Sequence, residues 1–164
     1  ADTVAEIGDF FKFPDHGLVQ VRIGIIQLKG IRPTGKEWIS TMGKSPFFFL
    51  KNLTLEEMAM VYQKSKLFVY PSIFEGFGIP ILEALFCQTP VITNQEGVFP
   101  EVGGPNSYYV DVKQTNQLKH AIQHLMEHPE LRDAMSIEGL RFAQKFNDDV
   151  IAKNWMALYQ KLLQ

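Results

Sequence analysis

Residues 67–84 read LFVYPSIFEGFGIPILEA, and this stretch decides the fold. Leu67, Phe68, Val69 and Tyr70 form a β-prone apolar run that Pro71 stops. Gly76 and Gly78 then make a tight loop, and Pro80 stands where a helix accepts proline, in its first turn. Strand, glycine loop and helix in that order are the repeating unit of a parallel sheet. The loop therefore lies beyond the C-terminal end of a strand, where open parallel sheets bind ligands. The two glycines let the backbone approach a ligand closely and adopt positive φ. The helix behind them presents free N–H groups and the positive end of its dipole. A phosphate or diphosphate is the natural occupant. Glu75 precedes the glycines, and Glu83 lies about one turn into the helix. Two carboxylates repel a bare phosphate but accept hydrogen bonds from hydroxyls, so the ligand also carries a polyol such as a ribose or a hexose.

Gly-x-Gly alone occurs in many turns, and glutamates are common in first helical turns. The pattern does not extend to G-x-G-x-x-G, because Ile81 holds the third position, which disfavours a nicotinamide-type fingerprint. Neither a Walker loop nor G-x-S-x-G occurs.

Toward the N-terminus, Thr54 and Glu57 form a capping box, with Leu53 and Met58 as a staple. Leu55, Met58, Ala59 and Tyr62 mark the buried face of that helix, and Lys64 and Lys66 suit its C-terminal end. Residues 47–50 (FFFL) are a short apolar strand. Residues 18–28 are a further β-rich run, with Val19, Val21, Ile23 and Ile25 on one face. This run either pairs with residues 10–13 across the turn Pro14-Asp15-His16-Gly17 or follows a helix as a parallel strand.

Toward the C-terminus, residues 91–93 and 108–112 read as strands. Residues 94–106 read as a long loop, with three glycines and two prolines, of the kind that is often functional. Thr115 caps a helix with Leu118, Ala121, Ile122, Leu125 and Met126 on one face. Pro129 starts the next, with Leu131, Ala134 and Met135 inward. Asn147 caps the last, whose inner face is Ile151, Trp155, Leu158, Tyr159 and Leu162. Trp155 and Tyr159 are expected in the core, with packing on a partner domain as the alternative. Strands that are apolar throughout, alternating with helices, predict a mainly parallel sheet covered on both faces. The strands counted are five: 18–28, 47–50, 67–70, 91–93 and 108–112.

The 164 residues, 46% hydrophobic and 21% charged, fit one domain with a sizeable core. A net charge of −2 gives no basic field for nucleic acid or an anionic membrane. A lone cysteine, Cys87, excludes an internal disulfide and a cysteine metal cage, and reads as a small buried hydrophobe. His120, His124 and His128 have a metal-chelating spacing but lie opposite the apolar face, so they read as solvated surface. No apolar run reaches the ~20 residues of a membrane span. The start, ADTVAEIG, reads neither as a signal peptide nor as an initiator, which fits a piece of a longer chain. A reducing, cytoplasmic setting is expected, with at most peripheral contact with the inner face of a membrane.

Residues 71–85, PSIFEGFGIPILEAL, resemble the signature of the glycogen-synthase-like retaining glycosyltransferases of family four, which have the GT-B fold. The matching positions are Pro71, Ser72, Glu75, Gly76, Phe77, Gly78, Pro80 and Glu83. The flanks are similar too, including Pro100-Glu101 after the following strand. The resemblance covers about residues 46–164. It implies a Rossmann-like three-layer α/β domain of five or six strands, closed by C-terminal helices. It makes residues 1–164 the nucleotide-sugar-binding half of a two-domain enzyme, with residues 1–46 atypical and 47–164 matching. By resemblance, Glu75 is the catalytic-site carboxylate that contacts donor-sugar hydroxyls. Gly76, Phe77, Gly78 and Ile79 present the loop to sugar and diphosphate, Glu83 holds the ribose hydroxyls, and Leu50 lies near the base. The implied donor is a UDP-, GDP- or ADP-sugar, with no metal and no further cofactor. The implied partner is an N-terminal acceptor-binding domain outside this chain, without which the fragment is inactive.

The sequence departs from the family at its start. There a first strand ends in Gly-Arg or Gly-Thr and a Lys follows, to clamp the diphosphate. Lys29, Arg32 and Lys36 are the nearby cations, and their spacing does not match. A non-catalytic association module with the same fold is therefore the alternative reading. A phosphosugar epimerase would require a basic cluster and a His near the loop, which the sequence lacks.

Overall fold

A computed structural model describes residues 24–26, as backbone, and residues 53–163. The described chain runs β1 (Gly24–Ile26), α1 (Leu55–Lys64), β2 (Leu67–Tyr70), α2 (Ile79–Phe86), β3 (Val91–Asn94) and α3 (Phe99–Gly103). It continues with β4 (Tyr108–Val110), α4 (Thr115–Glu127), α5 (Pro129–Ala143), a 3-10 turn (Gln144–Phe146) and α6 (Asp148–Leu162). The expected strand at 47–50, Leu50 and the cations Lys29, Arg32 and Lys36 lie outside the described residues.

The sheet has the order β1-β2-β3-β4. β2, β3 and β4 are parallel, with Val69 opposite Ile92 and Thr93 opposite Tyr109. β1 runs antiparallel to β2, with Ile25 opposite Phe68. The described sheet thus has three parallel strands and one antiparallel strand, and the five or six expected are not seen. The parallel arrangement expected as one alternative for residues 18–28 is not the one formed between 24–26 and β2, and the other alternative, pairing with residues 10–13, lies outside the described residues. An apolar run carries no information about the direction of its neighbour, and an antiparallel strand at the side of a parallel sheet is common.

β2 shows why the sheet is covered on both faces. All four of its residues are buried, and successive side chains alternate between faces. Leu67 and Val69 join Ile92, Val110, Leu118, Ile122 and Leu125 under α4. Phe68 and Tyr70 join Tyr62, Ile81, Leu85, Phe99 and Val102 under α1, α2 and α3. Each fully buried side chain of this size contributes about 1.5–3 kcal/mol of transfer free energy. Helix α5 closes against α2 at Gly139, where an added Cβ would meet Leu85 Cδ2 at 2.8 Å.

The capping box of α1 forms: Glu57 N–H donates to Thr54 Oγ1 at 3.2 Å, and Thr54 N–H donates to Glu57 Oε2 at 2.8 Å. The expected buried face of α1 holds at Tyr62 and Met58, which join the core, but not at Leu55. Val61 and Tyr62 are buried, while Leu55 is 84% exposed. β4 ends at Val110 rather than at 112, because Asp111 Oδ1 accepts the Lys113 N–H and turns the chain. Gln114, not Thr115, holds the cap position of α4. In α5 Met135, Gly139 and Ala143 are buried, whereas Ala134 is exposed and Leu131 half-buried. Asn147 does cap α6, through its carbonyl, which accepts from Val150 and Ile151.

Two larger corrections follow. The segment 94–106 is not simply a loop: Phe99–Gly103 is helical, with Pro100 in its first turn. The expected inner face of α6 is not inner. Ile151, Trp155, Leu158, Tyr159 and Leu162 are all exposed, and no residue of α6 is buried. Amphipathic spacing fixes which face of a helix is apolar, not what covers it. No helix among the described residues is long and apolar enough to cross a membrane.

Candidate functional site

The glycine loop leaves β2 at Tyr70 and enters α2 at Ile79. Its base is tied to β3. Thr93 Oγ1 donates to the Tyr70 carbonyl at 3.0 Å, and Asn94 Nδ2 donates to the Ser72 carbonyl at 3.3 Å. Both of those side chains are buried. The loop therefore sits over the C-terminal ends of two adjacent parallel strands.

Glu75 is half-buried and held from below. The Tyr70 hydroxyl donates to its Oε1 at 2.7 Å, and the Ser72 hydroxyl lies 3.0 Å from the same oxygen. Ser72 also lies 3.1 Å from the Phe74 carbonyl, its other acceptor. Oε2 of Glu75 has no protein donor among the described residues. Glu83, exposed on α2, is held in a similar way: the Tyr62 hydroxyl donates to its Oε2 at 3.1 Å. Both tyrosine rings belong to one aromatic row in the core. Tyr62 meets Phe68 edge-on at 5.1 Å, Phe68 stacks on Tyr70 at 5.6 Å, and Tyr70 meets Phe99 of α3 at 6.5 Å. Burial, reinforced by the neighbouring carboxylates, raises both phenols above their ordinary pKa.

Between the carboxylates the backbone is open. Among the described residues, no hydrogen bond takes up the N–H of Gly76, Phe77, Gly78 or Ile79. Only Gly78 needs left-handed backbone (φ 96°); Gly76 does not, which corrects the expectation for that residue. A Cβ on Gly76 would meet nothing within 4 Å, so its face is free for close approach. A Cβ on Gly78 would stand 3.1 Å from Val102 Cγ1 of α3, so that helix backs the loop. Phe77 rests on Phe146 of the 3-10 turn, at 5.8 Å and 79°, and Ile79 is 61% exposed.

Glu75, Gly76, Phe77, Gly78 and Ile79 are thus contiguous in one loop, and Glu83 follows on its helix. Tyr62 and Tyr70 were not singled out from the sequence as site residues, and Ser72 was named only as part of the family signature. Their signal was available: a buried tyrosine hydroxyl needs a hydrogen-bond partner. The sequence positions of Tyr62 and Tyr70 gave only their core role.

The remaining motifs stand apart. Cys87 is half-buried at the end of α2, and burial, then Glu83, pushes its thiol pKa up, away from thiolate chemistry. A surface concavity of about 650 Å³ lies there too, lined by Gln63, Cys87, Gln88 and Asp133 among others, at the far end of α2 from the loop. His120 and His124 are exposed and His128 half-buried, with the His124 and His128 rings 4.3 Å apart. Among the described residues, no group of three or more His, Cys, Asp or Glu could hold a metal ion.

The family model described as glycosyl transferases group 1 matches residues 36–141. O-antigen chain mannosyltransferase B of Escherichia coli is 31% identical over 116 residues, covering 71% of this chain and 28% of its own length. An uncharacterized glycosyltransferase of Methanocaldococcus jannaschii is 30% identical over 163 residues, covering 98% of this chain and 43% of its own. The structure of sucrose-phosphate synthase from Thermosynechococcus elongatus superposes with a TM-score of 0.58 at 31% identity. That match covers 65% of this chain and 28% of the synthase. The chain spans less than half the length of each of these relatives. On its sequence and its fold together, the chain belongs to the group 1 glycosyl transferases, the retaining family-four class, and corresponds to the C-terminal portion of their GT-B fold.

Proposed function

We propose that this chain binds the nucleotide-sugar donor for a retaining glycosyl transfer to an acceptor held by another domain. One observation carries the reading. Two carboxylates, each fixed by a buried phenol, stand at either end of a run of backbone amides with no partner among the described residues. Amides and the N-terminal dipole of α2 suit a diphosphate. The carboxylates suit hydroxyls on either side of it. In this arrangement Glu75 contacts hydroxyls of the transferred sugar, and Glu83 accepts from the ribose. Gly76, Phe77, Gly78 and Ile79 line the diphosphate between them; Leu50, assigned to the base by the family resemblance, lies outside the described residues.

In this scheme the leaving diphosphate is stabilised by the loop amides and the N-terminal dipole of α2, with no metal, and the cationic clamp of the family pattern is not matched in this sequence. The mannosyltransferases among the relatives favour a mannosyl donor. The acceptor class (a sugar, lipid or polysaccharide) belongs to the full-length enzyme. So does a cytoplasmic position peripheral to a membrane. Alone, the chain binds donor without turning it over.

The exposed apolar face of α6 favours a second role, association with a partner, whether or not the donor site works. The two readings separate on one titration. UDP, GDP and ADP, and their sugars, are titrated into the folded chain by calorimetry. Binding by at least one is expected, and Glu83→Ala should weaken it about tenfold or more, as for loss of hydrogen bonds to a charged group. A folded chain that binds none leaves only the association role. Unchanged affinity in the variant would remove the ribose assignment.

A further inference from the structure

The geometry points to Tyr62 as a positioning residue for ribose recognition, acting through Glu83, with Tyr70 and Ser72 doing the same for the sugar through Glu75. This deepens the donor-site reading and rests on it.

An exposed glutamate on a helix samples several rotamers, and a ligand that needs one of them must bear the cost of ordering it. Glu83 is exposed, yet the Tyr62 hydroxyl donates to its Oε2 at 3.1 Å. The phenol itself cannot wander. Tyr62 is 1% exposed, and its ring is fixed edge-on against Phe68. One oxygen of Glu83 is therefore pinned from the core side, and Oε1 is left to accept from a ligand hydroxyl. Glu75 repeats the device: the Tyr70 hydroxyl donates to Oε1 at 2.7 Å, and the Ser72 hydroxyl, whose proton is shared with the Phe74 carbonyl, lies 3.0 Å from the same oxygen. Its Oε2 is the free oxygen.

The two devices share one foundation. Tyr62, Phe68, Tyr70 and Phe99 form a continuous buried row drawn from α1, β2 and α3. Core packing requires only an aromatic ring at positions 62 and 70, and phenylalanine would satisfy it. The hydroxyls serve the carboxylates. Phenols are protonated at neutral pH, and burial raises both of these further, so they remain hydrogen-bond donors.

The test is Tyr62→Phe in the full 164-residue chain, which keeps the ring and removes one oxygen. UDP, GDP and ADP are titrated by calorimetry, each beside its 2′,3′-dideoxy counterpart, which lacks the hydroxyls that Glu83 accepts. For whichever nucleotide binds, Y62F is expected to lose about two- to tenfold in affinity, the cost of ordering one flexible side chain. Affinity for the dideoxy form should not change. Circular dichroism and the melting temperature establish that the variant is folded. Should it not fold, Tyr70→Phe tests the same inference, read as loss of the affinity difference between a nucleotide sugar and its nucleotide. If Y62F weakens both forms equally, or neither, the phenol is purely structural and the inference is overturned while the donor site stands. If the wild-type chain binds none of the three nucleotides, the donor-site reading itself falls, and the positioning role with it.

Discussion

The two glycines of the Glu-Gly-Phe-Gly loop look equivalent in sequence, and the structure makes them opposites. Gly78 caps α2 at φ 96°, ψ 41°. An L-residue in the left-handed region costs about 1–2 kcal/mol. An alanine Cβ there would also stand 3.1 Å from Val102 Cγ1, and Val102 is 1% exposed. Val102 has little room to yield, so the crowding adds about 1 kcal/mol, the low end for overpacking. Together Gly78→Ala should destabilise the chain by about 2–3 kcal/mol. For a domain of this size that corresponds to a melting temperature lower by about 4–12 °C. Gly76 has neither problem, having no positive φ and no atom within 4 Å of an added Cβ. Gly76→Ala should be neutral, or stabilising by up to about 1 kcal/mol through the unfolded chain. Gly78→Asn keeps the Cβ contact but relieves part of the backbone strain. It should melt between wild type and Gly78→Ala. Differential scanning calorimetry on the four proteins decides the matter. Equal shifts for the two alanine variants would refute the reasoning, because they would mean that neither backbone conformation nor α3 distinguishes these positions.

Two further outcomes follow from local geometry. Thr54→Ala removes the hydroxyl that accepts the Glu57 N–H, and should cost about 1 kcal/mol in a urea-unfolding midpoint, with Thr54→Ser recovering most of it. Burial raises the pKa of Tyr62, Tyr70 and Tyr109, the last to about 12, above the ordinary 10.0. The unfolded chain therefore loses these protons first as pH rises, so the tyrosines' contribution to stability is whole below pH 10 and is lost as pH climbs through 12 and above. Tyrosinate absorbance should show these three of the five tyrosines titrating late, and three early transitions would contradict their burial.

Much of this domain was legible because its signals are local. Strand β2, the loop and α2 follow from an apolar run, two glycines and a proline within 18 residues. The capping box at Thr54 was readable for the same reason, since its four residues decide it. Three features were not local. The direction of β1 depends on a strand more than 40 residues away. Leu55 shares its stripe with the core residues Met58 and Tyr62, and its exposure depends on what the first turn of α1 packs against. The helix at Phe99–Gly103 hides among glycines and prolines. Its reason for existing is tertiary: Phe99 closes the aromatic row and Val102 backs Gly78. The segment taken for a functional loop is in part a buttress beneath the functional loop.

The same distinction explains why the carboxylates were found and their phenols were not. Glu75 and Glu83 are polar residues in a linear pattern, so they draw attention as candidates for chemistry. Tyr70 lies five residues before Glu75, and Tyr62 twenty-one before Glu83. Each fits the apolar periodicity of its element, so burial accounts for it fully and no residue is left over to explain. Periodicity, however, accounts only for the ring. A hydroxyl on a buried ring is a second requirement placed on the same position, and it is satisfied here by a group that points out of the core. In the proposed site the parts divide between surface and interior: the acceptors offered to a ligand are exposed (Glu83) or half-buried (Glu75), and the donors that fix them are core residues. The tyrosines of a buried face are then the place to look for the inner half of a site whose outer half is a pair of carboxylates.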